Sequence, residues 1–242
     1  MLICMPPGLF NLSNTLAISF PVKFKDVKDT TTLRIMTWNV EDFVNLSAKS
    51  DVRSQMLHVI SQKNPDILCI QEMTNVEGGR WRISVRRELD SLGYKYHFLS
   101  NDEVTTNRFD AVVTRGSAIF SKLPFTDSGR ISIRPGRVNE NLIYTNVNFN
   151  NRLLRIYTAH LASFQLYEDT SDTKKDVYEI TYERKRTILY KLREVERLHQ
   201  KEAEVISDAI SKAVFPVVYC GDMNATPCSY NYNLIKDDLQ DT

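Results

Sequence analysis

Four stretches of the chain share one design: an apolar run of strand length that stops at side chains able to do chemistry. LRIMTWN ends at Asn39, DILCIQE at Glu72, LLRIYTAH at His160, and PVVYCGDMN at Asp222 and Asn224. Together they offer two carboxylates, two amides and one imidazole. These are hard oxygen donors for a cation, hydrogen-bond donors for an anion, and a group that exchanges protons near neutral pH. Continuous apolar strands imply burial on both faces, and in open α/β sheets ligands bind beyond the carboxyl ends of strands. The four endings are therefore expected on a single rim. Asp222 and Asn224, two residues apart, would share one side of an extended strand, although the pattern G-D-x-N also suits an Asx-turn.

The elements that must position this rim can be read from periodicity and punctuation. Ser50 to Lys63 carries Val52, Met56, Val59 and Ile60 at helical spacing and stops before Asn64-Pro65, as a residue preceding proline requires. Trp81 to Leu92 presents Ile83, Val85, Leu89 and Leu92 on one face and ends at Gly93. AVVTRGSAIFSKLPF reads as two strands joined by a turn at Arg115-Gly116. Between Gly136 and Pro216 there is neither Gly nor Pro. That gap reads as strands over 141–161 and then a long helix whose stripe is Ile188, Leu192, Val195, His199, Glu202, Ile206 and Ala209. Mixed charges on its other faces make it a solvated amphipathic helix covering a sheet.

Composition narrows the class. A length of 242 residues, 42% hydrophobic and 25% charged, fits a soluble globular chain with one sizeable core and excludes disorder, collagen and a disulfide scaffold. A net charge of +1 argues against holding nucleic acid by bulk polyelectrolyte attraction. The cysteines, Cys4, Cys69, Cys220 and Cys228, form no C-x-x-C pair, and the four histidines are not closely spaced, so a His/Cys zinc site is not expected. Any metal is expected on oxygen ligands. No run reaches membrane-spanning length. The leader MLICMPPGLFNLSNTLAISF lacks a basic start and is broken by Pro6-Pro7-Gly8, so it does not read as a signal peptide; a relic of a longer segment, such as a lost membrane anchor, is the other reading. With no repeat and no low-complexity linker, one domain is expected over 33–242, after an N-terminal extension over 1–32.

TWNV with Asn39, CIQE with Glu72, RGSAIFSKLP from Arg115, YTAHLAS with His160, and YCGDMNATP with Asp222 and Asn224, taken in this order, resemble the endonuclease/exonuclease/phosphatase superfamily of DNase I-like phosphoesterases. The last stretch looks especially like an uncharacterised branch found in Bacteroidetes. The resemblance implies an α/β fold, a four-layer α/β/β/α sandwich of two mixed sheets. It also implies Mg²⁺-dependent, or Mn²⁺-dependent, hydrolysis of a phosphoester by metal-assisted in-line attack of water. The substrate would be nucleic acid, phospholipid or a small phosphorylated molecule; no obligate protein partner is indicated.

On that resemblance Glu72 is expected to be the principal metal ligand, with Asn39 orienting the metal site through its amide oxygen. Asp222 would orient and polarise the attacking water. Asn224 would donate to the phosphoryl oxygen or hold the water, and His160 would donate to a phosphate oxygen or the leaving group. Arg130, Arg134, Arg137, Arg152 and Arg155, opposed only by Glu140, either guide an anion to the rim or are plain exposed charges. Trp38 reads as a core residue. Family members continue into strands bearing an Asp and a terminal S-D-H motif, whereas this sequence stops at LIKDDLQDT. The domain is therefore expected to lack its last strands and to be marginal in stability, with apolar faces and sheet edges uncovered. A catalytically inactive phosphate-binding or scaffold remnant is the alternative function.

Overall fold

The computed structural model describes residues 29, 31–43, 50–78, 84–107, 109–134, 139–163 and 177–240. The expectations placed on Cys4, the N-terminal leader, Trp81, Ile83 and Arg137 lie outside these residues; the helix expected from Trp81 starts only at Val85, because Ser84 is extended and caps it.

Among the described residues nine strands form two mixed sheets. The first contains β1 (Ile35–Asn39), β2 (Ile67–Gly78), β3 (Tyr96–Leu99), β4 (Glu103–Thr106) and β5 (Ala111–Ser121) in the order β1-β2-β5-β3, with β4 also on β5. The second is β6 (Phe125–Arg134), β7 (Glu140–Phe149), β8 (Arg152–Thr158) and β9 (Val217–Tyr219), in sequence order. Among the described strands β1 with β2 and β8 with β9 run parallel and the other pairs antiparallel. Asn150 and Asn151, at φ 50° and 62°, turn β7 into β8, the consecutive left-handed pair that matches strand twist in a tight hairpin.

Three apolar clusters account for four layers. Ile67 and Cys69 of β2, Ile119 of β5, and Ile143, Val147 and Ile156 of the second sheet fill the space between the sheets. Leu68, Ile70 and Phe120 project the other way, onto Met56 and Ile60 of α1 (Ser50–Lys63) and Val85 and Leu89 of α2 (Val85–Ser91). Leu142 and Tyr157 pack on Ala203 and Ile206 of α3 (Val177–Ser211) and Ile235 of α4 (Tyr230–Lys236). This is the α/β/β/α sandwich that the family resemblance implies, and it agrees with the doubly buried strands. Trp38, partly buried, packs on the α1 side as core. Cys69 and Cys220 are free thiols in hydrogen-bond contact between the sheets, a contact that, with burial, pushes the Cys69 thiol well above its usual range.

The helix α1 has the expected bounds and ends at Asn64, φ 48°, a left-handed cap. Ser84 caps α2 by accepting from the Arg87 N–H, and Arg53 of α1, almost fully buried, pairs with Glu88 of α2. Two readings are corrected. β5 runs unbroken through Arg115-Gly116: with φ +137° Gly116 stays in the strand, and the reversal comes at 122–124. The space a Cβ would need there is taken by Ser100 and Asp102, 2.1 and 2.2 Å from its ideal position. Second, β2 does not stop at Glu72 but continues to Gly78.

Among the described residues no helix is long and apolar enough to cross a membrane. Among the described residues β1 and β9 are the outer strands of their sheets, and these two edges share a 560 Å³ groove lined by Leu33, Ile35, Val218, Tyr219, Ile235 and Leu239.

Candidate active site

The five expected residues converge at one end of the sandwich. Asn39 is the last residue of β1. Glu72 lies in a β-bulge: pairing of β2 with β5 shifts register between Ile70 and Met73, and Glu72 adopts φ 51°. A bulge re-aims a side chain, and a left-handed glutamate is held only where surrounding structure fixes it. Just before it, Gln71 is buried and donates to Thr158 Oγ1 of the opposite sheet at 2.8 Å. His160 and Asp222 follow β8 and β9 and form a further parallel bridge beyond them.

The side chains are joined by short contacts. Asn39 Nδ2 donates to Glu72 Oε1 and to Asp222 Oδ2, 2.9 Å in each case. Its Oδ1 accepts the Glu41 N–H at 3.1 Å, so the amide oxygen expected to face a metal is turned to the backbone and the nitrogen meets the carboxylates. Asp222 Oδ1 accepts the Asn224 N–H at 2.9 Å. The Asx-turn and the site therefore coexist: Asp222 uses one oxygen for the turn and the other for Asn39. Asn224 is at φ 43°, so the two residues are brought together by a turn rather than by the alternation of an extended strand.

His160 is the hinge of the contact set. Its Nε2 lies 3.2 Å from Glu72 Oε1 and 3.1 Å from Asn224 Nδ2. Asn224 Nδ2 also donates to Leu161 O at 2.8 Å, which fixes that atom as the nitrogen. With its proton on Nδ1 the neutral imidazole accepts from Asn224 through Nε2; with a proton on Nε2 the same atom donates to Glu72 instead.

The set opens into a cavity of 570 Å³ whose wall carries the carboxyl groups of Asp42, Glu72, Asp102, Glu103 and Glu140 against the guanidinium of Arg115. Arg115 itself pairs with Glu103 at 2.8 Å. Burial, and then the neighbouring Asp102, push Glu140 up to about 8. Burial also raises Asp102, although Ser100 and Asn141 donate to it. Ser117 Oγ, buried on the same wall, has no hydrogen-bond partner among the described residues. Asp42 and Asp102 carry no signal in the sequence, because neither terminates an apolar run; Glu140 stands out there only as the acid opposing the arginines, and Ser117 only as part of the RGSAIFSKLP stretch.

Among the described residues Arg130, Arg134 and Arg155 are held by contacts within the fold, Arg134 reaching the cavity only through Glu140, 3.8 Å away. Arg155 stacks 4.3 Å from the Tyr144 ring and donates to Asn146. Arg134 pairs with Glu202, and Arg130 lies over Phe98. Arg152 is an exposed residue at the start of β8.

Among the described residues no group of three or more His, Cys, Asp or Glu side chains is arranged to hold a metal ion. Mg²⁺ does not require one, since it keeps several waters and takes one or two carboxylates. Glu72 is a hard oxygen donor whose side chain is 36% exposed, and a wall this acidic admits an anion only with added positive charge. The donor set fits such a cation.

The sequence pattern of the Endonuclease/Exonuclease/phosphatase family matches residues 36–242. Among solved structures, an endonuclease/exonuclease/phosphatase from Beutenbergia cavernae DSM 12333 matches with a TM-score of 0.57 at 18% identity, over 84% of this chain and 52% of that one. The catalytic domain of human Nocturnin, solved with a bound sulfate anion, matches with a TM-score of 0.55 at 19% identity, over 86% and 69%. D. rerio TDP2 humanized by 14 mutations gives 0.51 at 18%, over 80% and 62%. These identities show likeness of fold, and the chain spans about half the length of the Beutenbergia protein. A search of curated proteins found no match.

Proposed function

Because this chain belongs to the endonuclease/exonuclease/phosphatase family, whose members are phosphoester hydrolases, we propose that it hydrolyses a phosphoester bond at the Asn39–Glu72–His160–Asp222–Asn224 cluster, with Mg²⁺ or Mn²⁺ as cofactor. The observation that carries this reading is the double hydrogen bond from Asn39 to Glu72 and Asp222: it draws a carboxylate from each sheet to one point at the mouth of the acidic cavity.

Glu72 would hold the cation. When bound, the cation supplies Lewis-acid neutralisation of the phosphoryl oxygens. Asn39 fixes the two carboxylates at a set separation and screens their repulsion. Asp222, with one lone pair on each oxygen already committed, keeps acceptor capacity to orient a water for in-line attack. Asn224 spends both amide N–H groups on Leu161 and His160, so its part is to set the imidazole. Once Nε2 carries a proton it no longer accepts from Asn224, and His160 donates from that atom to a phosphoryl oxygen or to the leaving oxygen.

The test is a panel containing a single-stranded DNA oligonucleotide, bis(p-nitrophenyl) phosphate, p-nitrophenyl phosphate and a phospholipid, each with Mg²⁺, with Mn²⁺ and with EDTA. Hydrolysis of at least one substrate that EDTA abolishes is expected. No turnover of any substrate overturns the reading and leaves phosphate binding without catalysis.

A further inference from the structure

Two polar residues interrupt the apolar stripe of α3, and both are fully buried: His199 and Glu202. A buried carboxylate in a helix–sheet contact is costly unless it is paired and hydrogen-bonded, and an aliphatic residue would fill the position at less cost. Glu202 Oε1 accepts from Arg134 Nε of β6 at 2.5 Å, and Oε2 accepts the Ala162 N–H at 3.0 Å. His199 Nε2 hydrogen-bonds the carbonyl oxygen of the same Ala162, which makes that nitrogen the donor.

The neighbouring Leu161 is held from the opposite side. Its N–H donates to Asp222 O at 2.9 Å and its carbonyl accepts from Asn224 Nδ2 at 2.8 Å. All four backbone polar groups that follow His160 are thus assigned, two to the 222–224 turn and two to α3.

We propose that Glu202 and His199 are positioning residues for His160: by clamping both backbone groups of Ala162 they fix the chain where it leaves β8, and so hold the imidazole between Glu72 and Asn224. The proposal rests on the reading of His160 as part of a phosphoesterase site. It gives α3 a task beyond covering the sheet, and it accounts for a charged group on a stripe that packing alone would make apolar.

Four variants of the full chain test it. Glu202→Gln replaces one of the two accepting oxygens by an NH₂ group, which then meets either the Arg134 or the Ala162 N–H donor to donor. His199→Leu removes the donor, His199→Gln supplies another, and Glu204→Gln on the exposed side of the same helix is the control. In Glu202→Gln and His199→Leu, kcat is expected to fall on the order of tenfold or more, the scale of a small misplacement of a reacting group, with KM within about twofold. The NMR resonance of the His160 ring is expected to move in these two variants. Both readouts should stay near wild type in His199→Gln and Glu204→Gln. If Glu202→Gln fails to fold, the His199→Leu and His199→Gln pair carries the test. A His160 resonance in Glu202→Gln and His199→Leu matching that of Glu204→Gln overturns the proposal. If the wild type hydrolyses nothing, the proposed reaction falls while the His160 resonance still decides the clamp.

Discussion

Asn39 and Asp222, 183 residues apart in the chain, meet across the two sheets through one hydrogen bond of 2.9 Å. The same amide nitrogen reaches Glu72 at 2.9 Å, so a single neutral side chain holds two carboxylates that would otherwise repel. The mouth of the cavity depends on that amide.

Replacing it should show both of its tasks. Asn39→Ala is expected to lower stability on the order of 1–3 kcal/mol, the cost of leaving charged acceptors unmatched. Asn39→Asp puts a third carboxylate beside the other two and should be less stable still at pH 7. The difference between the two variants should close near pH 4, where carboxylates take up protons. Urea denaturation at both pH values measures this; equal stability of the two variants at pH 7 would contradict the assigned contacts.

How far the sequence reaches can be judged at the same residues. Asn39, Glu72, His160, Asp222 and Asn224 could be grouped because buried strands are uniformly apolar and a polar residue closing one stands out. The same runs imply strands buried on both faces, while the four layers come from the family resemblance. The bulge that turns Glu72 was invisible, because it comes from a register shift against β5 and register is a relation between strands. Gly116 looked like a turn because glycine marks turns and close approaches alike; the approach is to Ser100 and Asp102, brought there by the fold. The roles of Arg134 and Glu202 depend on a contact 68 residues long in sequence, which no local pattern signals.

Gly221 is a second position where the backbone comes too close for a side chain. A Cβ would sit 2.6 Å from the carbonyl oxygen of Ala159, beside the bridge between His160 and Asp222. Gly221→Ala is expected to cost about 1–3 kcal/mol, as overpacking does, and to reduce phosphoester hydrolysis more than its residual folded fraction explains. Thermal unfolding together with kcat checks both parts; wild-type values of both would show that the strands part without cost.

Glu140 makes the pH dependence of stability predictable in sign. Its folded-state value is raised to about 8 by burial and by Asp102, above the ordinary value for an unfolded chain. The stability tied to its proton is fully present below about pH 4.5 and is lost as pH rises through about 8. Glu140→Gln, neutral throughout, should therefore match wild type at low pH and gain on it progressively from pH 5 to 9. Melting temperatures across that range, without divalent cations, measure the gap; a gap that shrinks with rising pH would reverse the sign.

The central claim is that Glu72 holds the cation on which phosphoester hydrolysis depends. The most direct measurement compares kcat/KM of wild type and Glu72→Gln at saturating Mg²⁺, on whichever panel substrate the wild type turns over fastest, with folding of both confirmed by circular dichroism. A loss on the order of 100-fold is expected, the scale of removing one electrostatic element of a phosphoryl-transfer site. Activity of Glu72→Gln within twofold of wild type would contradict the account.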